Sequence, residues 1–307
     1  MRAKSLGADI RVIYSPLDAC RIAQSEFERA HSSEVAQDPG SREGNRAMRQ
    51  VVLFAIGFET TAPATALAIR TAKQKGWDHF STLVSHVLVP PALHAIFSDP
   101  EHGIQGLLAA GHVCTITGYQ DYFPIAERYR IPIAVTGFEP VDLLRGILNV
   151  IEQLEATPPS YRVDNLYEHV AMPLGNPQAQ QVLSDVFEVS DQNWRGLGSL
   201  PKSGLHLRSD YAHLDALRRF PTSQPSSQLD SNAIDPNLNA SILSHQSDCR
   251  TECQAADVLR GKLRPSQCPA FGTRCTPSNP LGAPMVSNEG ACAAYYLYQP
   301  HSSEPNS

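Results

Sequence analysis

Between residues 8 and 156, short runs of β-branched and apolar residues alternate with amphipathic stretches. That rhythm is best met by parallel sheets covered with helices. The expected strands are "ADIRVIYS", "QVVLFAIGF", "FSTLVSHVL", "HVCTITGY" and "IPIAVTGF". Among the segments between them, "TAPATALAIRTAKQ" and "PVDLLRGILNVIEQLE" carry the helical period. Residues 27–49 are polar and break the rhythm, as a surface insertion would.

Two stretches echo each other. "VVLFAIGFETTAP" (51–63) and "IPIAVTGFEPVD" (131–142) both run from an apolar strand through Gly-Phe-Glu into a helix start. We read them as corresponding junctions in two similar Rossmann-like parallel α/β units. Ligands of open α/β sheets gather at the carboxyl ends of the strands, where these turns fall. Glu59 and Glu139 stand there. A carboxylate at that place also suits the first turn of a helix through the helix dipole, so each has a structural reading beside a functional one. The functional reading places them in a polar cleft between the units, lined also by Thr60, Thr61, His86 and His112.

With 307 residues the chain has room for more than one domain, and its formal charge of −6 supplies no basic stripe for nucleic acid. The apolar run "VVLFAIGF" stops at Glu59, well short of the ~18 residues a membrane helix needs. The start "MRAKSLGADIRV" holds no apolar secretion core. The expected setting is a reducing cytoplasm, where cysteines serve metals, redox chemistry or packing.

Further along, "NPQAQQVLSDVFE" reads as a helix entered through Asn176 and "SDYAHLDALRRF" as one entered through Ser209. The glycine-rich "NWRGLGSLPKSGLHL" between them suggests tight turns. Residues 221–248 form a Ser/Asn/Pro-rich linker. The organisation expected is a first α/β unit over 1–111, a second with connecting helices over 112–220, the linker over 221–248, and a cysteine module over 249–307.

Five of the seven cysteines follow the linker: Cys249, Cys253, Cys268, Cys275 and Cys292. Their intervals, x3, x14, x6 and x16, lack the paired close knuckles of a zinc ribbon. Thiolates on scattered, proline-braced loops suit an iron–sulfur cluster, which would also order loops that have little core of their own. Zinc and unliganded or redox cysteines remain the alternatives from spacing alone. Cys20 and Cys114 lie in apolar segments and read as packing residues.

The chain resembles the HypD family of hydrogenase maturation proteins. The resemblance runs through "GADIRVIYSPLDACRIA", "VVLFAIGFETTAP", "HVLVPPAL", "YRIPIAVTGFEPVDLL", "WRGLGSLPKSGLHLR" and "CPAFGTRCTPSNPLGAPMVSNEGACAAYY". It implies a scaffold on which the Fe(CN)2CO unit of [NiFe]-hydrogenases is assembled. The implied partners are a HypC-type chaperone and a HypE-type cyanide-transfer protein. It further implies a carboxyl-terminal [4Fe–4S] cluster on Cys253, Cys268, Cys275 and Cys292, with Cys249 as a spare. Glu289, in "SNEGAC", matches a motif glutamate near the cluster loop; a loop carboxylate capping backbone amides would look the same.

The chain also departs from the family. The Cys-Gly-Thr-His-Thr motif, thought to hold the iron, and the Gly-Pro-Gly-Cys-Pro-x-Cys motif do not occur in it. The expectation is a first unit short of its opening strands and a chain impaired in the full task. The rival reading is an α/β oxidoreductase or transferase with a zinc- or cluster-binding tail. That reading calls for a phosphate-binding Gly-x-Gly-x-x-Gly turn, which neither "AIGFETT" nor "VTGFEPV" supplies.

Overall fold

The computed structural model describes residues 4, 7–31, 48–194, 196–221 and 252–299. The linker at 222–248, residues 32–47 of the polar insertion, and Cys249 lie outside them. The elements run α1 (Pro16–His31), β1 (Val51–Gly57), α2 (Ala62–Lys75), β2 (Phe80–His86), α3 (Val89–Phe97), β3 (Leu107–Ala110) and α4 (Gly111–Thr117). They continue with α5 (Tyr122–Tyr129), β4 (Ile133–Thr136), α6 (Pro140–Glu155), β5 (Val163–Asn165), α7 (Pro177–Val186), β6 (Phe187–Trp194) and β7 (Gly198–Leu207). Three short helices complete the set: α8 (Ala216–Arg219), α9 (Ala255–Leu259) and α10 (Ala291–Tyr298). The fold is α/β with parallel sheets. Contacts divide it into a first unit (1–88, 174–190, 204–221) and a second (89–173, 191–203, 222–307).

In the first unit β1 and β2 run parallel in unbroken register from Val51↔Phe80 to Gly57↔His86, joined by α2. Alternation along β1 turns Leu53 and Ala55 into the core and leaves Val52, Phe54 and Ile56 exposed. Alanines at 62, 66, 68 and 72 let α2 approach α1, whose Ala19, Cys20 and Ala23 enter the same core. Gly76 ends α2 in the left-handed conformation that glycine adopts most freely. α7 begins as its sequence suggests: Asn176 Oδ1 accepts from the backbone N–H groups of Gln178 and Ala179, with Pro177 at the first position.

The second unit holds the three-stranded parallel sheet β3–β4–β5. β4 lies in the middle and all four of its residues are buried. α6 crosses this sheet through Gly146, where a Cβ would stand 2.4 Å from Thr136 Cγ2. Gln153 on the same face is buried and accepts a 2.7 Å hydrogen bond from the N–H of Arg162. The opposite face of α6 exposes Val141, Leu144, Ile147, Leu148 and Ile151.

Several local expectations are corrected. "HVCTITGY" is not a strand: the strand is the preceding "LLAA", and residues 111–117 form α4. Its β-branched run favours a strand locally, but helix places Val113 and Cys114 inward, and tertiary packing overrides a weak propensity. "ADIRVIYS" has the alternation of a strand yet pairs with no strand among the described residues. Its Ile10, Val12 and Tyr14 are exposed. "SDYAHLDALRRF" breaks in two: residues 209–214 form a 3-10 turn, and Asp215 caps α8 by accepting from Leu217 N–H. "NWRGLGSLPKSGLHL" is not turns alone but the end of β6 and all of β7, which pair with each other. The polar stretch from residue 27 begins inside α1, which continues to His31.

Candidate metal centre and strand ends

Cys253, Cys268, Cys275 and Cys292 line one pocket in the second unit. The segment around it is built almost without regular structure. A 3-10 turn (Pro265–Gln267) ends at Cys268, and the next reverse turn is closed by the Cys275 N–H donating to Ala270 O at 2.8 Å. Gly272 holds a left-handed φ of 70° there. Cys292 enters from the first turn of α10. The rest of the wall is apolar, with Ala255, Val258, Phe271, Pro284 and Met285. The local core is small, and two of its five buried members, Cys275 and Cys292, are cysteines.

Two of the four cysteines are packed in the local core, and all four thiols line the same pocket. Burial pushes the Cys292 thiol up to about 11, and the sulfurs of Cys275, Cys253 and Cys268 add to the effect. A cation placed among them would reverse that penalty. Among the described residues, no group of three or more His, Cys, Asp or Glu side chains is arranged to hold a metal ion. A single tetrahedral zinc would draw its sulfurs to about 3.8 Å from one another, as Zn–S bonds of ~2.3 Å require. A cluster spreads its thiolates over several irons and takes a wider set. Four cysteines around one apolar pocket are the donor type that an iron–sulfur cluster takes.

Two features of the pocket escape the sequence. The N–H of Leu281 donates to Cys275 Sγ at 3.4 Å. At Gly282, a Cβ would stand 2.6 Å from Cys253 Sγ and 3.1 Å from the Cβ of Ala255. The only signal for either was a glycine inside the proline-rich "NPLGAP".

The module is clamped to the α/β part of its own unit. Lys262 Nζ lies 2.9 Å from Asp99 and 3.0 Å from Glu101, and Arg260 Nε lies 3.3 Å from Asp99. Beside these ion pairs the Gly103 N–H donates to Arg260 O at 2.8 Å. Lys262 holds the Asp99 carboxyl below the usual carboxylate range.

The Gly-Phe-Glu triplets do fall at strand-to-helix turns, one in each unit. They are not equivalent. Glu59 is 2% exposed, whereas Glu139 is exposed at the start of α6 and makes no side-chain capping bond. Thr60 is exposed, and the Thr61 hydroxyl donates to Phe58 O at 3.2 Å. His86 ends β2 opposite Gly57 and is 1% exposed, its Nε2 3.0 Å from Thr65 Oγ1. Burial pulls its pKa down, partly offset by the Gly57 carbonyl. In the second unit His112 is exposed and stacks on Phe138 of the other triplet, with centroids 4.9 Å apart. Each triplet thus has its own histidine.

The remaining sites are simpler. Glu289 is exposed and does not line the cysteine pocket; its backbone N–H donates to Ser287 Oγ. Cys20 and Cys114 are buried, as packing residues would be, and burial pushes the Cys20 thiol up to about 11. No helix among the described residues is long and apolar enough to cross a membrane.

A family model described as "HypD: Hydrogenase formation hypA family" matches residues 41–299. The chain is 40% identical over 304 residues to "Hydrogenase maturation factor HypD1" of Bradyrhizobium diazoefficiens, a match covering 97% of this chain and 69% of that protein. It is 38% identical over 305 residues to "Hydrogenase maturation factor HypD" of Escherichia coli, covering 99% of this chain and 70% of that one.

Proposed function

The chain belongs to the HypD family, and from that premise we propose that it acts in [NiFe]-hydrogenase maturation as a scaffold carrying a [4Fe–4S] cluster. The observation that carries this reading is the gathering of Cys253, Cys268, Cys275 and Cys292 around one apolar pocket by loops with barely any core of their own. When bound, the cluster supplies a one-electron store.

The protein's own part is to bind, tune and shield. The four thiolates ligate the irons. The Leu281 N–H, aimed at Cys275 Sγ, tunes the potential, as hydrogen bonds to cluster sulfurs do. Met285 and Phe271 keep water from that side of the pocket. The substrate is the iron of the nascent Fe(CN)2CO unit, and the partners are a HypC-type chaperone and a HypE-type cyanide-transfer protein. The polar strand ends serve this work: Glu59, Thr60, Thr61 and His86 in the first unit, His112 and Glu139 in the second. Glu289 stands on the loop leading into Cys292.

Anaerobic reconstitution tests the cluster. Wild-type protein should take up about four irons per chain and show broad thiolate-to-iron absorption in the visible. Cys268→Ala should bleach it, whereas Cys249→Ala should not. Colourless protein holding one zinc per chain would overturn the reading in favour of a zinc tail.

A further inference from the structure

We infer that Gly282 is a positioning residue for the cluster: its missing side chain is the space in which the Cys253 sulfur sits. The inference rests on the cluster reading above. A Cβ at Gly282 would lie 2.6 Å from Cys253 Sγ, closer than real Cβ atoms come to sulfur, and 3.1 Å from the Cβ of Ala255 behind it. The backbone there imposes no left-handed φ, so alanine is excluded by crowding and not by conformation.

The neighbouring residue explains why the turn cannot simply back away. The Leu281 N–H is committed to Cys275 Sγ at 3.4 Å, and the Gly282 carbonyl accepts from Met285 N–H at 3.1 Å, opening the 3-10 turn Ala283–Met285. Met285 is 1% exposed and fixed in the module's core. One short turn therefore addresses two of the four sulfurs, donating to one and leaving room for the other. A methyl group on Gly282 must be accommodated by moving Cys253 Sγ, since the backbone on either side is held.

Iron content and reduction potential, measured on anaerobically reconstituted protein, test this. Gly282→Ala should load less than the wild-type iron, and the fraction that does load should show a shifted midpoint potential. Cys253→Ala and the double variant Cys253→Ala/Gly282→Ala should load alike, because without the sulfur the methyl's tightest remaining contact is the 3.1 Å approach to the Ala255 Cβ, which a shift of a few tenths of an ångström relieves. Wild-type iron and potential in Gly282→Ala would overturn the inference while leaving the cluster reading intact. A double variant that loads clearly less than Cys253→Ala would also overturn it, by showing that the methyl disturbs the loop generally. A wild-type chain that binds no cluster would overturn the cluster reading itself, and this inference with it.

Discussion

Gly57 closes β1 at φ 147°, and an added Cβ would stand 2.1 Å from Thr61 Oγ1. Gly57→Ala therefore meets two separable penalties. Holding an alanine in that sparsely populated region costs about 1–3 kcal/mol. The steric conflict falls on a terminal hydroxyl, which can rotate away. Doing so breaks its 3.2 Å bond to the Phe58 carbonyl, a loss of about 0.5–1.5 kcal/mol and toward the low end at an exposed site. Together the two amount to about 2–4 kcal/mol, and a midpoint loss of roughly 5–15 °C follows for domains of this size. Thr61→Ala in the same background removes the hydroxyl conflict but also the bond to Phe58, so it should recover little and leave the backbone penalty in place. Gly137 occupies the same place in the second triplet but has no left-handed φ; its Cβ would meet Asp142 Oδ2 at 2.3 Å and Tyr167 Cε2 at 3.0 Å. The carboxylate can swing aside, so Gly137→Ala should cost about 1 kcal/mol, the low end for overpacking. Urea and thermal melts followed by far-UV circular dichroism compare these three variants with the wild type. If Gly57→Ala melts with the wild type, or Gly137→Ala costs more, the backbone argument is wrong.

Other perturbations follow from the same structure. His86 is buried with a lowered pKa, so below about pH 6.5 the unfolded chain binds a proton that the folded one resists. Stability should fall as pH drops from there toward the folded pKa, and His86→Gln should flatten the profile; parallel melting profiles would count against it. Asp99→Asn should loosen the cysteine module and raise its cleavage by protease, with the difference shrinking in ~1 M salt, where screening acts within ~3 Å. Because the Asp99 pKa is lowered, its contribution is present above the ordinary carboxylate range and lost as pH falls through the folded value. Gly111→Ala would bring a Cβ within 2.6 Å of the Thr136 carbonyl oxygen. It should destabilise the second unit by about 1–3 kcal/mol, and an unchanged urea midpoint would refute that.

Legibility followed how local each determinant is. The run from β1 through Gly-Phe-Glu into α2 could be read because strand, turn and helix are each encoded within a few residues. Asn176 before Pro177 announces its helix for the same reason. α4 could not be read, because "HVCTIT" is strand-like alone and becomes helical against the sheet beside Thr136. The residues of "ADIRVIYS" alternate correctly, but pairing is a property of two strands, and the sequence of one is silent on the other. At the site, the resemblance to the HypD family, and not the spacing alone, picked Cys253, Cys268, Cys275 and Cys292 out of the five tail cysteines, and these four do line one pocket. The space over Cys253 was invisible, since it depends on a glycine meeting a sulfur from a loop 29 positions earlier. The unequal burial of Glu59 and Glu139 was hidden too: identical triplets carry no record of what packs over them.

α6 reverses the usual relation between greasiness and necessity. Its two buried positions are a glycine and a hydrogen-bonded glutamine, with the half-buried Val150 packed beside Gly106, while Val141, Leu144, Ile147, Leu148 and Ile151 face outward. In a saturation scan selected for folding alone, these five exposed aliphatic positions would be tolerant ones. The forbidden position would be Gly146, where even one methyl collides with Thr136. A scoring scheme that treats hydrophobic residues as core would rank these six sites in nearly the opposite order. Redesign for expression could replace the outer aliphatic residues with glutamate and lysine without touching the sheet, and α6 would remain a helix seated on its glycine.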